Sequence, residues 1–266
     1  MEDFFKQNQH HWNTLTQVNI NSAFYANDTF KLTLNSLCDT EQMWLGDVHG
    51  KSLLHLQCHF GQDTLSWQHK GAQCTGIDFA DQAIAYAKSL AEELNLPAEF
   101  ICCNVYDTCK HLNKTFDIVY TSYGTIGWLP DLNKWAAVVA QCLKPGGTFL
   151  IIDFHPVLWM LDNEMKMLQY PYFNVDPIIE TNLGSYADRN AVIKTTNIGW
   201  NHSLSDIITA LIDNGLKLEK FSEFDYSNYN CFKNTVQIDN GKYQIKNLQG
   251  VLPMMYAIKC SKPKLL

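Results

Sequence analysis

Apolar and polar positions along the chain change period several times, and each change marks an element. Residues 3–46 set Trp12, Phe30, Leu32, Leu34 and Leu37 among polar neighbours. They predict two or three helices, with Asn27 or Asp28 as a cap and Gly46 as a stop. The run Ser52–Leu56 is short and apolar and reads as a buried strand, followed by the loop Gln57-Cys58-His59-Phe60-Gly61. Helical spacing then covers Gln62–Lys70 and closes at Gly71. Further strands are expected at 74–78, 100–103, 116–121 and 148–153, with helices at 81–94 and 132–143 between them. Lys144-Pro145-Gly146-Gly147 reads as a turn.

Strands alternating with helices at this spacing imply a mostly parallel sheet covered on both faces. Residues 155–200 break the rhythm: they carry Trp159, Met160, Met165, Met167, Tyr170, Tyr172 and Phe173 with no clear period. An insertion of that length in a compact domain is expected to be a lid or a substrate wall. A helix at 203–216 and a strand at 217–224 resume the pattern. Residues 235–245 then read as a hairpin around Asn240-Gly241, because Asn-Gly suits a tight turn with positive φ. A last strand is expected at 251–259. The whole chain, 1–266, is expected to be one domain: a helical lid to residue 50, a core over 51–154, the insertion 155–200 and a closing segment 201–266.

Composition narrows the functional classes. The 266 residues carry a net charge of −7, and Arg189 is the sole arginine. Phosphate backbones are neutralised by Lys/Arg patches and base edges are most often read by Arg, so nucleic acid is not the expected partner. No apolar run is long enough to span a bilayer, and the first residues lack the basic start and apolar stretch of a signal peptide. Nine cysteines, several in apolar stretches (Cys102, Cys103, Cys142, Cys260), are expected to be reduced core thiols of a cytoplasmic protein. His55 and His59 are four apart but fall on a strand and its loop, so no metal site is expected.

In open α/β sheets, ligands bind beyond the carboxyl ends of the strands. Those ends carry Gln57–Gly61, then Asp78, then Asn104-Val105, then Thr121-Ser122-Tyr123-Gly124. An acid at the second strand end is placed to accept hydrogen bonds from two ribose hydroxyls. The first loop lacks G-x-G-x-x-G, and no P-loop exists, so the nucleoside expected here carries no phosphate.

With these motifs the chain resembles the class I S-adenosylmethionine-dependent methyltransferases over roughly Leu53–Phe154. Leu54-His55-Leu56-Gln57-Cys58-His59-Phe60-Gly61 sits where that family has a strand and then Asp-x-Gly-x-Gly-x-Gly. Gly76-Ile77-Asp78-Phe79 sits at the ribose motif and Asn104-Val105 at the adenine motif. Phe116-Asp117-Ile118-Val119 and Leu143-Lys144-Pro145-Gly146-Gly147 resemble the two later motifs. The departure is in the first motif, where His55, Gln57 and His59 replace the acid and the first two glycines. The resemblance implies a Rossmann-like α/β fold with a seven-stranded, mostly parallel sheet and an antiparallel hairpin at one edge. It implies S-adenosyl-L-methionine as cofactor, held by Gln57, Cys58, His59, Gly61, Asp78, Phe79, Asn104, Val105, Thr121 and Tyr25. Gln57 would donate to the cofactor's carboxylate, Gly61 would leave room for its tail, Thr121 would offer a carbonyl, and Tyr25 would close over the tail.

Methyl transfer needs desolvation and in-line alignment, with a base for some acceptors. Tyr123 is expected to line the transfer cavity, and His155 and His202 are candidate bases. Trp128, Trp159, Trp200, Tyr226 and Tyr229 are candidate substrate walls, and Arg189 either pairs with a substrate carboxylate or with an acid such as Asp188. The expected activity is O- or N-methylation of a small molecule. A protein or RNA methyltransferase and a non-catalytic cofactor-binding module are the alternatives.

Overall fold

The computed structural model describes residues 2–173 and 176–264. Three helices come first: α1 (Glu2–Asn19), α2 (Asn27–Thr33) and α3 (Asp39–Leu45). The core follows as β1 (Ser52–Leu56), α4 (Gln62–His69), β2 (Gln73–Asp78), α5 (Asp81–Glu93), β3 (Glu99–Cys102), the short α6 (Thr108–His111), β4 (Phe116–Ser122), α7 (Leu132–Cys142) and β5 (Leu143–Phe154). The remainder is β6 (Ile178–Leu183), β7 (Lys194–Gly199), α8 (Leu204–Asp213), β8 (Lys217–Phe224), β9 (Thr235–Asp239), β10 (Lys242–Ile245) and β11 (Met255–Ser261).

The seven-stranded sheet has the order β3-β2-β1-β4-β5-β11-β8. The neighbours from β3 to β5 pair in parallel, and β11 lies antiparallel between β5 and β8. Alternation along each strand splits the core. Leu54, Leu56, Val119, Phe149 and Ile151 meet Trp135 and Val139 of α7 and Ile207 and Leu211 of α8. Leu53, Ile118, Tyr120, Leu150 and Ile152 meet Trp44, Leu45 and Trp67 on the other face. The helices start where their sequences supply caps. Asp131 accepts from the Lys134 N–H, and Ser203 and Asp206 form a capping box.

Several expectations are corrected. The predicted turn Lys144–Gly147 is the bulged start of β5, where the Gly146 N–H donates to the Lys262 carbonyl. Residues 155–200 contain a 3-10 turn, Pro156–Met160, and the antiparallel hairpin β6–β7. The last strand starts at Met255, later than expected. Neither Asn27 nor Asp28 caps α2; Ala26 does so with positive φ, and the Asn27 amide donates to the Ile20 carbonyl. Cys102 is exposed, while Cys103, Cys142 and Cys260 are buried; all nine cysteines are free thiols. Among the described residues no helix is long and apolar enough to cross a membrane.

The lid helix α1 is seated by polar groups. Its buried residues include Asn8, His11, Thr16 and Asn19 beside Leu15. The Asn8 amide donates to the Ile198 carbonyl (2.7 Å) and accepts from the Ile198 N–H (2.8 Å), so it pairs with β7 as a strand would. Gln9 donates to the Phe79 carbonyl, and Asn13 bridges Asp81 and the Gln82 N–H. The helix thus straps the insertion hairpin to the end of β2. Asn8→Ala leaves both Ile198 groups unpaired, at a cost of about 1–3 kcal/mol. Urea unfolding is expected to show that loss, with faster proteolysis of α1; a change within the error of the wild type would contradict this role.

Candidate functional site

The first loop reverses direction through three left-handed residues, Gln57 (φ 57), His59 (φ 50) and Gly61 (φ 87). These are the positions at which the resemblance sets glycines, so the glycine-type backbone is kept with two non-glycine residues. Left-handed φ costs an L-residue roughly 1–2 kcal/mol. Two hydrogen bonds offset it: the His59 N–H donates to Asp78 Oδ2 (2.8 Å), and Gln57 Nε2 donates to the Thr125 carbonyl (2.9 Å). A neutral bond of this kind contributes about 0.5–1.5 kcal/mol and one to a carboxylate about 1.5–3 kcal/mol. At Gly61 the constraint comes from below. A Cβ there would meet the Phe100 ring at 2.7 Å and Ala87 at 3.1 Å, so core packing, rather than room for a ligand, demands the glycine.

Beside this loop a cleft opens between the ends of β1, β2 and β3. It is lined by Gln57, Asp78, Phe79, Asn104 and Val105, and closed by Phe5 of α1 and by Trp128. Asp78 is buried, and its two oxygens take the His59 and Ala80 N–H groups. The Phe79 N–H also acts on this carboxylate, and the lone-pair capacity that remains is what a ligand hydroxyl would use. Burial outweighs these bonds and pushes the Asp78 carboxyl up to about 6. Asn104 accepts from the Tyr106 N–H and so fixes the turn after β3. Two buried atoms at the loop have no protein partner, Gln57 Oε1 and His59 Nε2. One of the two Gln57 amide hydrogens goes to the Thr125 carbonyl, which leaves a second donor, and Oε1 is in addition a buried acceptor, suited to an ammonium.

Aromatic side chains roof the loop. The Tyr25 ring lies 5.4 Å from His59 and 4.7 Å from Phe60, and its hydroxyl bonds to Tyr186 of the insertion. Trp12 packs edge-on against both His59 and Trp128. Tyr25 therefore packs over the loop, joined by three residues that sequence reasoning did not place at the site: Phe5, Trp12 and Tyr186. Their spacing in irregular or amphipathic stretches gave no signal beyond ordinary packing.

After β4 the chain turns at Tyr123 (φ 32) and Gly124 (φ 72), held by buried Asp153, which accepts from the N–H groups of Gly124 and Thr125. The Tyr123 hydroxyl donates to Glu41 Oε2 (2.9 Å) and accepts from Asn228 (3.2 Å), with the Tyr229 ring 4.8 Å away. Glu41 is wholly buried, and burial, then the charge of Asp63, pushes its carboxyl up to about 8. Asp63 accepts from Ser36 (2.6 Å) and Ser122 (3.1 Å). Sequence reasoning missed both acids: Glu41 closes a capping box on Cys38, and Asp63 reads as an ordinary first-turn acid of α4.

Other expected site residues are placed elsewhere. His155 Nε2 bonds to Glu223 (2.9 Å) and its Nδ1 accepts from the Val157 N–H, so it caps the 3-10 turn and has no free nitrogen for a base. His202 Nε2 donates to the Leu129 carbonyl (2.7 Å), which ties the ring to the segment before α7. The Cys58 side chain packs under the loop, where a Cβ on Gly76 would meet its sulfur at 2.9 Å. Thr121 is fully buried and paired with both Leu56 and Ile151, inside the sheet floor. Arg189 pairs with neither Asp188 nor an open cleft: its guanidinium donates to the Cys231 and Phe232 carbonyls and staples the insertion to that segment. Of the candidate walls, Trp128 lines the cleft and Tyr229 reaches the Tyr123 cluster. Trp159 packs on Phe154 and Phe232, Tyr226 on Phe224, and Trp200 beside Phe4.

Residues 54–151 match the family model described as "Methyltransferase domain". An uncharacterized methyltransferase of Synechocystis sp. is 28% identical over 144 residues, 53% of this chain and 66% of that protein. A ubiquinone biosynthesis O-methyltransferase of Idiomarina loihiensis is 28% identical over 116 residues, 43% of this chain and 47% of that one. The chain thus spans only part of the curated relatives it matches. A crystal structure of an S-adenosylmethionine-dependent methyltransferase from Clostridium acetobutylicum superposes with a TM-score of 0.59 at 14% identity, covering 90% of this chain and 98% of that one. Residues 54–151 are therefore similar to a methyltransferase domain, and the chain shares the α/β fold of the solved S-adenosylmethionine-dependent methyltransferase.

Proposed function

We propose that this chain, as one domain, is an S-adenosylmethionine-dependent methyltransferase that transfers a methyl group to an oxygen or nitrogen of a small molecule by in-line displacement. The observation that carries the reading is the cleft at the strand ends. There Asp78 keeps lone pairs for hydroxyl donors, and Gln57 Oε1 is buried without a partner. Such atoms are costly unless a ligand completes them. In this reading Asp78 holds the ribose, Asn104 and Val105 with Phe5 and Trp128 enclose the adenine, and Gln57, His59 and Tyr25 face the amino-acid tail. The bound cofactor supplies an activated methyl group on a sulfonium sulfur.

The acceptor side falls to Tyr123 and Glu41. A hydroxyl acceptor, or an amine that arrives protonated, must lose a proton, and a carboxyl pushed up to about 8 is, once ionised, a stronger base than an ordinary carboxylate, taking that proton more readily as pH rises through about 8. Tyr123 hydrogen bonds directly to that carboxyl and is placed to pass a proton to it. The roof made by α1 and the insertion favours a small enclosed substrate, as does the relative named for ubiquinone biosynthesis. The net charge of −7 speaks against RNA, and nine free thiols support a cytoplasmic setting.

Asp78→Ala is expected to weaken S-adenosylhomocysteine binding by about 1–3 kcal/mol in calorimetry. Native affinity is expected to fall as pH drops through about 6, because the protonated acid accepts less well from the ribose hydroxyls. Unchanged affinity in either experiment would remove Asp78 from the site. Glu41 gives a stability prediction of opposite appearance. Its folded-state value is raised, so between 4.5 and about 8 the native state holds more protons than the unfolded one. Stability of the unliganded protein then declines as pH rises through that window, by up to about 1.4 kcal/mol per pH unit. Glu41→Gln is expected to flatten this decline in urea titrations and to lower turnover by roughly 10²-fold with cofactor binding unchanged. An unaltered pH slope would contradict the assignment.

A further inference from the structure

The acid that the resemblance sets on β1 is replaced here by His55, and burial holds His55 neutral. Its ring bridges Thr64 (Nδ1, 2.8 Å) and Ser122 (Nε2, 3.2 Å). Ser122 in turn donates to Asp63, in the first turn of α4 directly after the loop. A hydrogen-bonded chain therefore links the position that lost its carboxylate to one that has a carboxylate. Asp63 is half-buried and takes two hydroxyl donors. No ion pair among the described residues involves it or Glu41, the other acid acting on this region. An unpaired acid in such a place is expensive unless a cation arrives from outside. Tyr25 ties the acid to the loop: its ring rests on His59, and Asp63 is among the charges acting on its phenol. At the same loop Gln57 Oε1 is a buried acceptor without a donor.

We infer that Asp63, together with Gln57 Oε1, binds the α-ammonium of the cofactor's amino-acid tail, taking over the charge that β1 no longer supplies. This rests on the methyltransferase reading above. It differs from that reading in assigning the cationic end of the tail to a helix residue. Tyr25, whose ring packs on His59 and whose hydroxyl bonds to Tyr186, roofs the same loop, and exclusion of water there would strengthen the contact. Burial raises the Asp63 carboxyl, with Ser36 and Ser122 opposing; a bound ammonium holds it ionised.

The test compares calorimetric binding of S-adenosylhomocysteine with that of its deaminated analogue, which lacks the α-amino group. The native protein is expected to prefer S-adenosylhomocysteine by roughly 10- to 100-fold, the range for hydrogen bonds to charged groups. Asp63→Asn is expected to lose most of that preference while binding the analogue as the native protein does. Its unliganded melting temperature should be equal or higher, because a half-buried carboxylate without a cation partner has gone; a purely structural role predicts a lower one. If the variant does not fold, the native protein still decides the matter: its preference for the amine must shrink as Asp63 becomes protonated at low pH. Equal loss of both ligands in Asp63→Asn, or a preference that ignores pH, would overturn the inference and leave the methyltransferase reading intact. A native protein that binds neither ligand would overturn both.

Discussion

The bond from the His59 N–H to Asp78 Oδ2 joins the first two strand ends, and much of the site depends on it. It holds His59 at positive φ without a glycine, and with it the reversal that sets Gln57 over the cleft. It also orients the Asp78 carboxylate, leaving its remaining lone pairs toward the cleft. Beneath the loop, Phe100 and Ala87 forbid a side chain at Gly61, so the reversal is clamped from the core side as well. A family-like loop is thus built from unlike residues because its hydrogen bonds and packing, more than its glycines, fix the backbone.

The same economy shows in the charges. Asp63, Asp78 and Glu41 all lie near the loop or the β4 turn, and burial raises all three. Without ligand they oppose stability at neutral pH. Proteins keep such groups where function needs them, and sites that strain the fold are where pKa values shift. The polar seating of α1 fits this picture: Asn8, Gln9 and Asn13 hold the lid by hydrogen bonds that are separable from the hydrophobic core.

The sheet was largely legible in the sequence because its strands are short apolar runs between clear turn and helix signals. Ser52–Leu56 and Phe116–Ser122 are examples. Asp78, Asn104 and Val105 were legible for the same reason: a strand end fixes which residues face the cleft. The hairpin β6–β7 was not, since its strands mix Thr, Asn and Glu and each presents one exposed face. That both nitrogens of His155 are occupied was not legible, because sequence shows proximity to strand ends but not which groups a ring will satisfy. Arg189 likewise reads as a charge to be paired, whereas the fold uses its planar donors on two carbonyls. Glu41 and Asp63 became visible only when α3, α4 and β4 brought residues distant in sequence together.

The Gln57–Gly61 loop keeps its left-handed backbone and, in the function proposed, binds the cofactor in that conformation. A crystal structure with S-adenosylhomocysteine bound is the decisive measurement. It is expected to show the ribose on Asp78, the adenine between Asn104 and Trp128, and positive φ retained at both Gln57 and His59. Ligand bound elsewhere, or a loop relaxed to negative φ at those two residues with the ligand present, would contradict it.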